Sequence, residues 1–248
     1  MHIKCTLSVP FSYFYRINRK MMIKNLINLF YPDVCLGCKG FLLSEENVIC
    51  SRCRHEIPLT QHFLNIENEA FMKFYGKIPV EHVSALFYFH KKGIVQEIIH
   101  GLKYRGHQEV GTVIGEWISE ELILLPISNH FDVVIPVPLH KKRLRERGYN
   151  QVSNFGIAIA NKLEINYNDS LLQRNVYSKT QVKKDFLGRI SVIDTLFDVT
   201  FTANDHNKHF LLIDDVLTTG ATLEACGRAL LKIPGAKISI VCMAMSHS

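Results

Sequence analysis

The sequence predicts an α/β protein in which helices cover both faces of a mainly parallel sheet, preceded by a small four-cysteine module. Three observations carry this. From residue 83 onward, short and nearly continuous apolar segments alternate with stretches of helical periodicity. One such segment, FLLIDD, runs straight into two acids and a Thr/Gly loop. Two CxxC pairs stand close together ahead of these elements.

In chain order, Leu26, Ile27 and Phe30 share one helical face until Pro32 stops the run. The cysteine segment covers Cys35 to Cys53, and a polar-aromatic linker lies between Pro58 and Pro79. Residues 83–90, VSALFYFH, read as a strand. Ile94, Val95, Ile98, Ile99 and Leu102 line a helix that ends at the Lys103-Tyr104-Arg105-Gly106 turn. A second helix over residues 108–124 carries Val110, Val113, Ile114, Trp117 and Ile118 inward. Asp132 to Pro138 is a short buried strand, followed by a basic loop. Val152, Phe155, Ile159 and Leu163 then repeat at helical spacing. FLLIDD is a strand, a helix opens near Thr219, and KISIVCMAM is the last strand. The expected division is an extension over 1–21, a cysteine module over 22–60 and an α/β domain over 80–248.

Composition bounds the function classes. With 248 residues, 47% hydrophobic and 21% charged, the chain reads as an ordinary soluble globular protein expected in the cytoplasm. There is no apolar run of about 18 residues or more to span a membrane. The formal charge of +6 fits phosphate or nucleic-acid binding without deciding for it. Seven cysteines do not make a disulfide framework here, and Cys226 and Cys242, set among apolar neighbours, are expected in the core. The first twenty residues lack the continuous apolar stretch of a secretory signal. Translation is expected to begin at Met21 or Met22, leaving the upstream segment as a non-native or disordered extension.

The strongest chemical signal is the string from Phe210 to Thr222, an apolar strand, two carboxylates and a Thr/Gly loop feeding a helix. Such a strand-loop-helix turns backbone N–H groups and the positive end of the helix dipole toward an anion. The threonines add hydroxyl donors, and Gly220 lets the backbone approach a phosphate. Asp214 and Asp215 suit sugar hydroxyls or a divalent ion. Residue types alone also fit a turn with an N-cap. No GxxxxGK[ST] lysine is present, so this is not a Walker loop. The whole string resembles the phosphoribosyl pyrophosphate signature of type I phosphoribosyltransferases. That resemblance implies Asp214 and Asp215 on the ribose 2′ and 3′ hydroxyls, and Thr218, Thr219, Gly220, Ala221 and Thr222 around the 5-phosphate.

Five of the seven residues from Lys141 to Arg147 are basic. A loop after the carboxyl end of a parallel strand lies on the ligand side, where cations neutralise a pyrophosphate or a nucleic-acid backbone. Charge alone equally fits a solvated run. The HKKRLRERGYNQ pattern and the Lys103 to Gly106 turn resemble the ComF family of competence proteins, which have a type I phosphoribosyltransferase fold. His140, Lys141, Arg143, Arg147, Lys103 and Arg105 are thus candidates for pyrophosphate or DNA phosphate. Thr180, Gln181, Lys183 and Lys184, followed by Arg189, resemble the mobile loop that closes over the site in phosphoribosyltransferases. Val192 stands where the family usually has asparagine.

Cys35 and Cys38, then Cys50 and Cys53, form CxxC–x11–CxxC, enough thiolates for the closed tetrahedral shell of structural Zn²⁺. A redox role for either pair competes with this, as does a Cys₃His site using His55. The ComF resemblance includes such a module and covers the chain from about residue 22. It implies phosphoribosyl pyrophosphate with Mg²⁺ as ligand, and a role in uptake or handling of single-stranded DNA with the uptake machinery. Tyr104 and Tyr149, beside basic groups, would then stack on bases. The alternative is an active phosphoribosyltransferase acting on a base or amine acceptor. No glutaminase domain or N-terminal catalytic cysteine is evident, which argues against an amidotransferase.

Overall fold

The computed structural model describes residues 32–175 and 196–246. Five strands form one wholly parallel sheet: β1 (His82–Phe89), β2 (Val133–Pro136), β3 (Asn166–Tyr167), β6 (His209–Leu217) and β7 (Lys237–Ser246). Their order is β1-β7-β6-β2-β3. The central pair holds its register from His209 opposite Lys237 to Leu217 opposite Met245. Both are almost entirely buried, which is why their sequences are apolar without alternation. Successive side chains leave on opposite faces. Leu211 and Ile213 join one apolar cluster, while Phe210 and Leu212 join the other.

The first cluster is covered by α3 (Ile94–Tyr104), α4 (Glu109–Ile123) and α6 (Ser153–Leu163). Val110, Ile114 and Ile118 of α4 are buried as expected, whereas Val113 and Trp117 are half-buried. Helices α4 and α6 approach closely at Gly115, where a Cβ would lie 2.7 Å from the Ala158 Cβ. The second cluster is covered by α7 (Ala221–Leu230) and by the segment around α2 (Glu69–Met72). Cys226 and Cys242 are fully buried in it, in keeping with a core role. The linker expected between Pro58 and Pro79 thus contributes α2 and a short 3₁₀ turn at His62–Leu64. Asn68 organises it, capping α2 through Oδ1 while its Nδ2 donates to the carbonyls of His62 and Val83.

The basic segment is a correction. The expected loop after β2 is a seven-residue helix, α5 (Lys141–Arg147), made of good helix formers without an interior Gly or Pro. His140 Nδ1 accepts from the Lys142 N–H at 3.2 Å, and Gly148 closes the helix with its N–H on the Leu144 carbonyl at 2.8 Å. No residue of α5 is buried, so apolar periodicity could not announce it. Two short strands, β4 (Leu172–Arg174) and β5 (Phe197–Val199), pair antiparallel beside the main sheet. They flank residues 176–195, so the mobile-loop candidates Thr180, Gln181, Lys183, Lys184 and Arg189 lie outside the described residues. The expected N-terminal extension and the helix before Pro32 lie outside them too.

The cysteine module includes α1 (Ser51–Glu56) and packs on the first cluster. Leu36 lies against Gly101 of α3, and the Arg54 guanidinium sits 4.6 Å from the Trp117 ring. Lys39 Nζ pairs with Glu97 at 3.2 Å. Among the described residues, no helix is long and apolar enough to cross a membrane.

Candidate functional site

Strands β2 and β6 end side by side, and the segments that follow them wall a cavity of about 510 Å³ at the carboxyl edge of the sheet. Lys103 and Tyr104 close it from the end of α3, and Arg143, Glu146 and Arg147 from α5. Arg174 enters from β4, and Asp214, Asp215 and Thr222 form the floor. A second cavity of about 480 Å³ adjoins it, sharing Arg143, Glu146, Arg174 and Thr222 and adding His140 and Lys142. Among the described residues, neither Arg143 nor Arg174 has a carboxylate partner. These two guanidiniums are therefore not neutralised by a direct carboxylate contact among the described residues, although Glu146 lines both cavities with them.

The two acids differ sharply. Asp214 is half-buried and borders the cavity, with one carboxylate oxygen accepting the Asp215 N–H at 2.8 Å. Burial, and then the neighbouring Asp215, push its carboxyl up to about 7, against a smaller opposing pull from Lys103. Asp215 is only 5% exposed. Its Oδ1 pairs with Lys103 Nζ at 2.8 Å and its Oδ2 accepts from Gln151 Nε2 at 2.6 Å. Gln151 Oε1 in turn accepts from Arg147 Nη1. The Arg147 guanidinium lies 5.6 Å from the Tyr104 ring.

In the loop after β6, Thr218 and Thr219 are exposed and Gly220 is buried against Phe74. Gly220 has φ 82°, a left-handed conformation that a side chain would strain, and a Cβ there would meet Phe74 at 3.2 Å. Ala221 opens α7, its N–H donating to Thr219 Oγ1 at 3.4 Å, and Thr222 reaches both cavities. The other candidates are spread more widely. Lys103 lines the cavity but is engaged by Asp215. Arg105 faces Glu97 at 3.5 Å, away from it. Lys141 is exposed and lines neither cavity. Tyr149 donates its hydroxyl to the Leu102 carbonyl at 2.5 Å, which fixes it as a brace, while Tyr104 remains exposed.

Two residues that sequence reasoning did not single out are Gln151 and Arg174. Gln151 stands four residues after the basic segment, but its partner is 64 positions away. Arg174 lies on a strand too short to be recognised by pattern.

The four cysteines of the two CxxC pairs bring their sulfurs within 4.8 Å of one another. Cys38 and Cys50 sulfurs are 3.7 Å apart, close to the edge of about 3.8 Å expected for thiolates tetrahedral on Zn²⁺. The Cys50 N–H points at Cys35 Sγ and the Cys53 N–H at Cys50 Sγ, so backbone dipoles already stabilise negative sulfur. Burial opposes ionisation of Cys35, yet backbone N–H groups of Cys50, Cys38 and Gly37 bring it down to about 7. The four sulfurs are close enough together that they could hold a metal ion. His55 is exposed and outside it.

No family model matches the chain. The chain is 27% identical over 207 residues to the competence protein ComFC of Bacillus subtilis, covering 82% of this chain and 81% of that protein. It is 23% identical over 226 residues to competence protein F of Haemophilus influenzae, covering 85% and 96%. With the DNA utilization protein YhgH of Escherichia coli K12 it shares 22% over 213 residues, covering 85% and 83%. Among solved structures it aligns with the adenine phosphoribosyltransferase of Leishmania tarentolae at a TM-score of 0.35 and 14% identity, over 73% of this chain and 89% of that one.

Proposed function

We propose that this chain, a relative of the ComF family of competence and DNA-utilization proteins, binds phosphoribosyl pyrophosphate in the cavity above β6 and acts in handling single-stranded DNA. One observation carries the ligand reading: Asp214, Thr222 and the cations of α5 border a single cavity. Three chemistries meet there that match three parts of one ligand. Thr218 to Thr222, at the amino end of α7, offer hydroxyl and N–H donors to a 5-phosphate. Asp214 accepts from a ribose hydroxyl. Arg143, Arg147 and Arg174 face the diphosphate.

Asp214 also fits the Mg²⁺ that accompanies such a diphosphate. Its carboxylate borders the cavity and is crowded by a second acid, and a bound cation relieves that crowding. Mg²⁺ supplies charge neutralisation when bound; the chain itself supplies position. In the cysteine module, Zn²⁺ on Cys35, Cys38, Cys50 and Cys53 would be structural, since three of the four are buried in a shared core.

The DNA reading draws on the relatives' names and on the continuity of the two cavities. Their shared Arg143 and Arg174, with Lys142 and His140 beyond, extend the cationic surface past the length of one small ligand. A strand held there binds mainly through phosphates, so its affinity falls steeply with salt. The protein would meet such a strand on the cytoplasmic side of the membrane.

A second reading, transfer of the phosphoribosyl group, uses the same site. The bond from C1 to the diphosphate breaks, a bond from C1 to the acceptor forms, and the diphosphate leaves with the electron pair. Arg143 and Arg147 would stabilise the charge on the departing diphosphate, which is positioning and electrostatics more than acid-base work.

Calorimetric titration of the zinc-loaded protein with phosphoribosyl pyrophosphate and Mg²⁺ tests the ligand reading. Micromolar binding, weakened about a hundredfold but still measurable in Asp214→Asn, is expected. No heat at millimolar ligand from a folded wild type would sink it and leave DNA handling to stand alone.

A further inference from the structure

We propose that the cysteine module regulates the ligand cavity through α3, so that metal on the four thiolates and phosphoribosyl pyrophosphate in the cavity bind cooperatively. The inference rests on the phosphoribosyl reading above and on the zinc reading of the cysteine cluster. It makes Leu36 and the turn around it positioning elements for Lys103 and Tyr104.

The turn between Cys35 and Cys38 lies directly on α3. A Cβ at Gly37 would stand 2.9 Å from Ile94 Cγ2 and 3.0 Å from Cys53 Sγ. The backbone there is pressed between the first residue of the helix and a sulfur of the cluster. Leu36 is buried, and its Cδ1 would lie 3.3 Å from a Cβ at Gly101. Lys39 Nζ donates to the Leu36 carbonyl at 2.7 Å and pairs with Glu97 at 3.2 Å. Ile94, Glu97 and Gly101 fall at i, i+3 and i+7, a single stripe of the helix.

The last turn of the same helix forms the cavity wall. Lys103 and Tyr104 line the cavity, with Lys103 Nζ 2.8 Å from Asp215 and the Tyr104 ring 5.6 Å from the Arg147 guanidinium. The 11 residues of α3 make a rod about 16 Å long. A tilt of about 5° at its first turn displaces its last by about 1.4 Å. That carries a 2.8 Å ion pair past the limit of about 4 Å for a direct contact. The cation and the aromatic wall are then no longer set for a ligand.

The module has little besides metal to keep it ordered against α3. Its described residues form one six-residue helix, α1, and two isolated bridges, Val34 with Phe41 and Asn47 with Ile49. Bringing four sulfurs within 4.8 Å of one another is work for the metal, and the module passes from loose to ordered as it binds. Metal therefore favours the state in which α3 is held, and a ligand that needs Lys103 and Tyr104 in place favours the same state. Two ligands that select one state strengthen each other by an equal factor.

Calorimetric titration with phosphoribosyl pyrophosphate and Mg²⁺ compares zinc-loaded wild type with the same chain stripped of zinc. The stripped chain should bind about tenfold more weakly. Zinc affinity, read by competition with a chromophoric chelator, should rise by that same factor when the ligand is present. A metal whose role ends at local folding would not produce this second change.

Zinc-loaded Leu36→Ala and Arg54→Ala locate the route. Both keep all four cysteines, but Leu36 packs on α3 whereas Arg54 packs on Trp117 of α4. Leu36→Ala should weaken the ligand about fivefold, and Arg54→Ala should match wild type. These loaded variants decide the matter if the stripped chain does not fold, with the milder Leu36→Val in reserve. Equal ligand affinity with and without zinc overturns the coupling. So does wild-type affinity in the Leu36 variants, equal weakening in Leu36→Ala and Arg54→Ala, or a wild type that holds no zinc. Zinc-loaded wild type giving no heat at millimolar ligand overturns the phosphoribosyl reading itself, and the coupling with it.

Discussion

Lowering the pH from about 8 to about 6 should weaken phosphoribosyl pyrophosphate binding about tenfold, through protonation of Asp214. Burial and the adjacent Asp215 place this carboxyl at about 7. The ionised form is the one that accepts a ribose hydroxyl or holds a cation, so protonation removes the competent state. For a single site the apparent Kd scales as one plus ten to the power of pKa minus pH. That factor is about 1.1 at pH 8 and about 11 at pH 6, a difference of about 1.4 kcal/mol. The ligand's own phosphates titrate near pH 6 and would add a slope of their own. Asp214→Asn, which cannot titrate, carries only that ligand slope, so the difference between wild type and variant isolates the carboxylate. Calorimetry at several pH values in buffers of differing ionisation heat also counts the protons released on binding at pH 7 and below. Parallel pH profiles for wild type and Asp214→Asn would refute the reasoning, because Asp214 would then titrate elsewhere or take no part in binding.

The purified chain should carry one zinc per molecule, and chelation should lower its melting temperature by about 10 °C, since the ligated sulfurs share the main apolar cluster; a metal-free chain melting at the same temperature would contradict this. Burial, aided by His62 and His209, holds His82 at about 4, and its Nε2 has no hydrogen-bond partner among the described residues. Because the unfolded chain binds that proton near 6.5, stability is full above pH 6.5 and declines as pH falls toward 4, by about 1.4 kcal/mol between pH 7.5 and 5.5. Urea unfolding of wild type and His82→Leu checks it, and equal losses in the two would remove His82 from the account.

The parts of this protein that are legible in its sequence are those coded by neighbours in the chain. A strand buried on both faces has to be apolar throughout, so FLLIDD and KISIVCMAM are readable without a structure. The Thr/Gly loop proposed here for a phosphate and the pair of CxxC turns likewise gather their polar groups within a few residues, because local backbone geometry brings those groups together. Helix α5 escaped this reading because it is exposed on every side and shows no apolar period.

The different surroundings of Asp214 and Asp215 were out of reach for another reason. Adjacent residues in a strand point to opposite sides, and although both acids border the cavity, the partners each one meets depend on what packs there. Sequence alone established the parallel α/β class, the loop and the thiolate cluster, because each is written in short-range spacing. Tertiary structure alone decided that Lys103 pairs with Asp215, that Gln151 links it to Arg147, and that Arg174 joins the cavity wall. Those partners are brought together by strand order and helix packing, and a linear pattern carries no record of either.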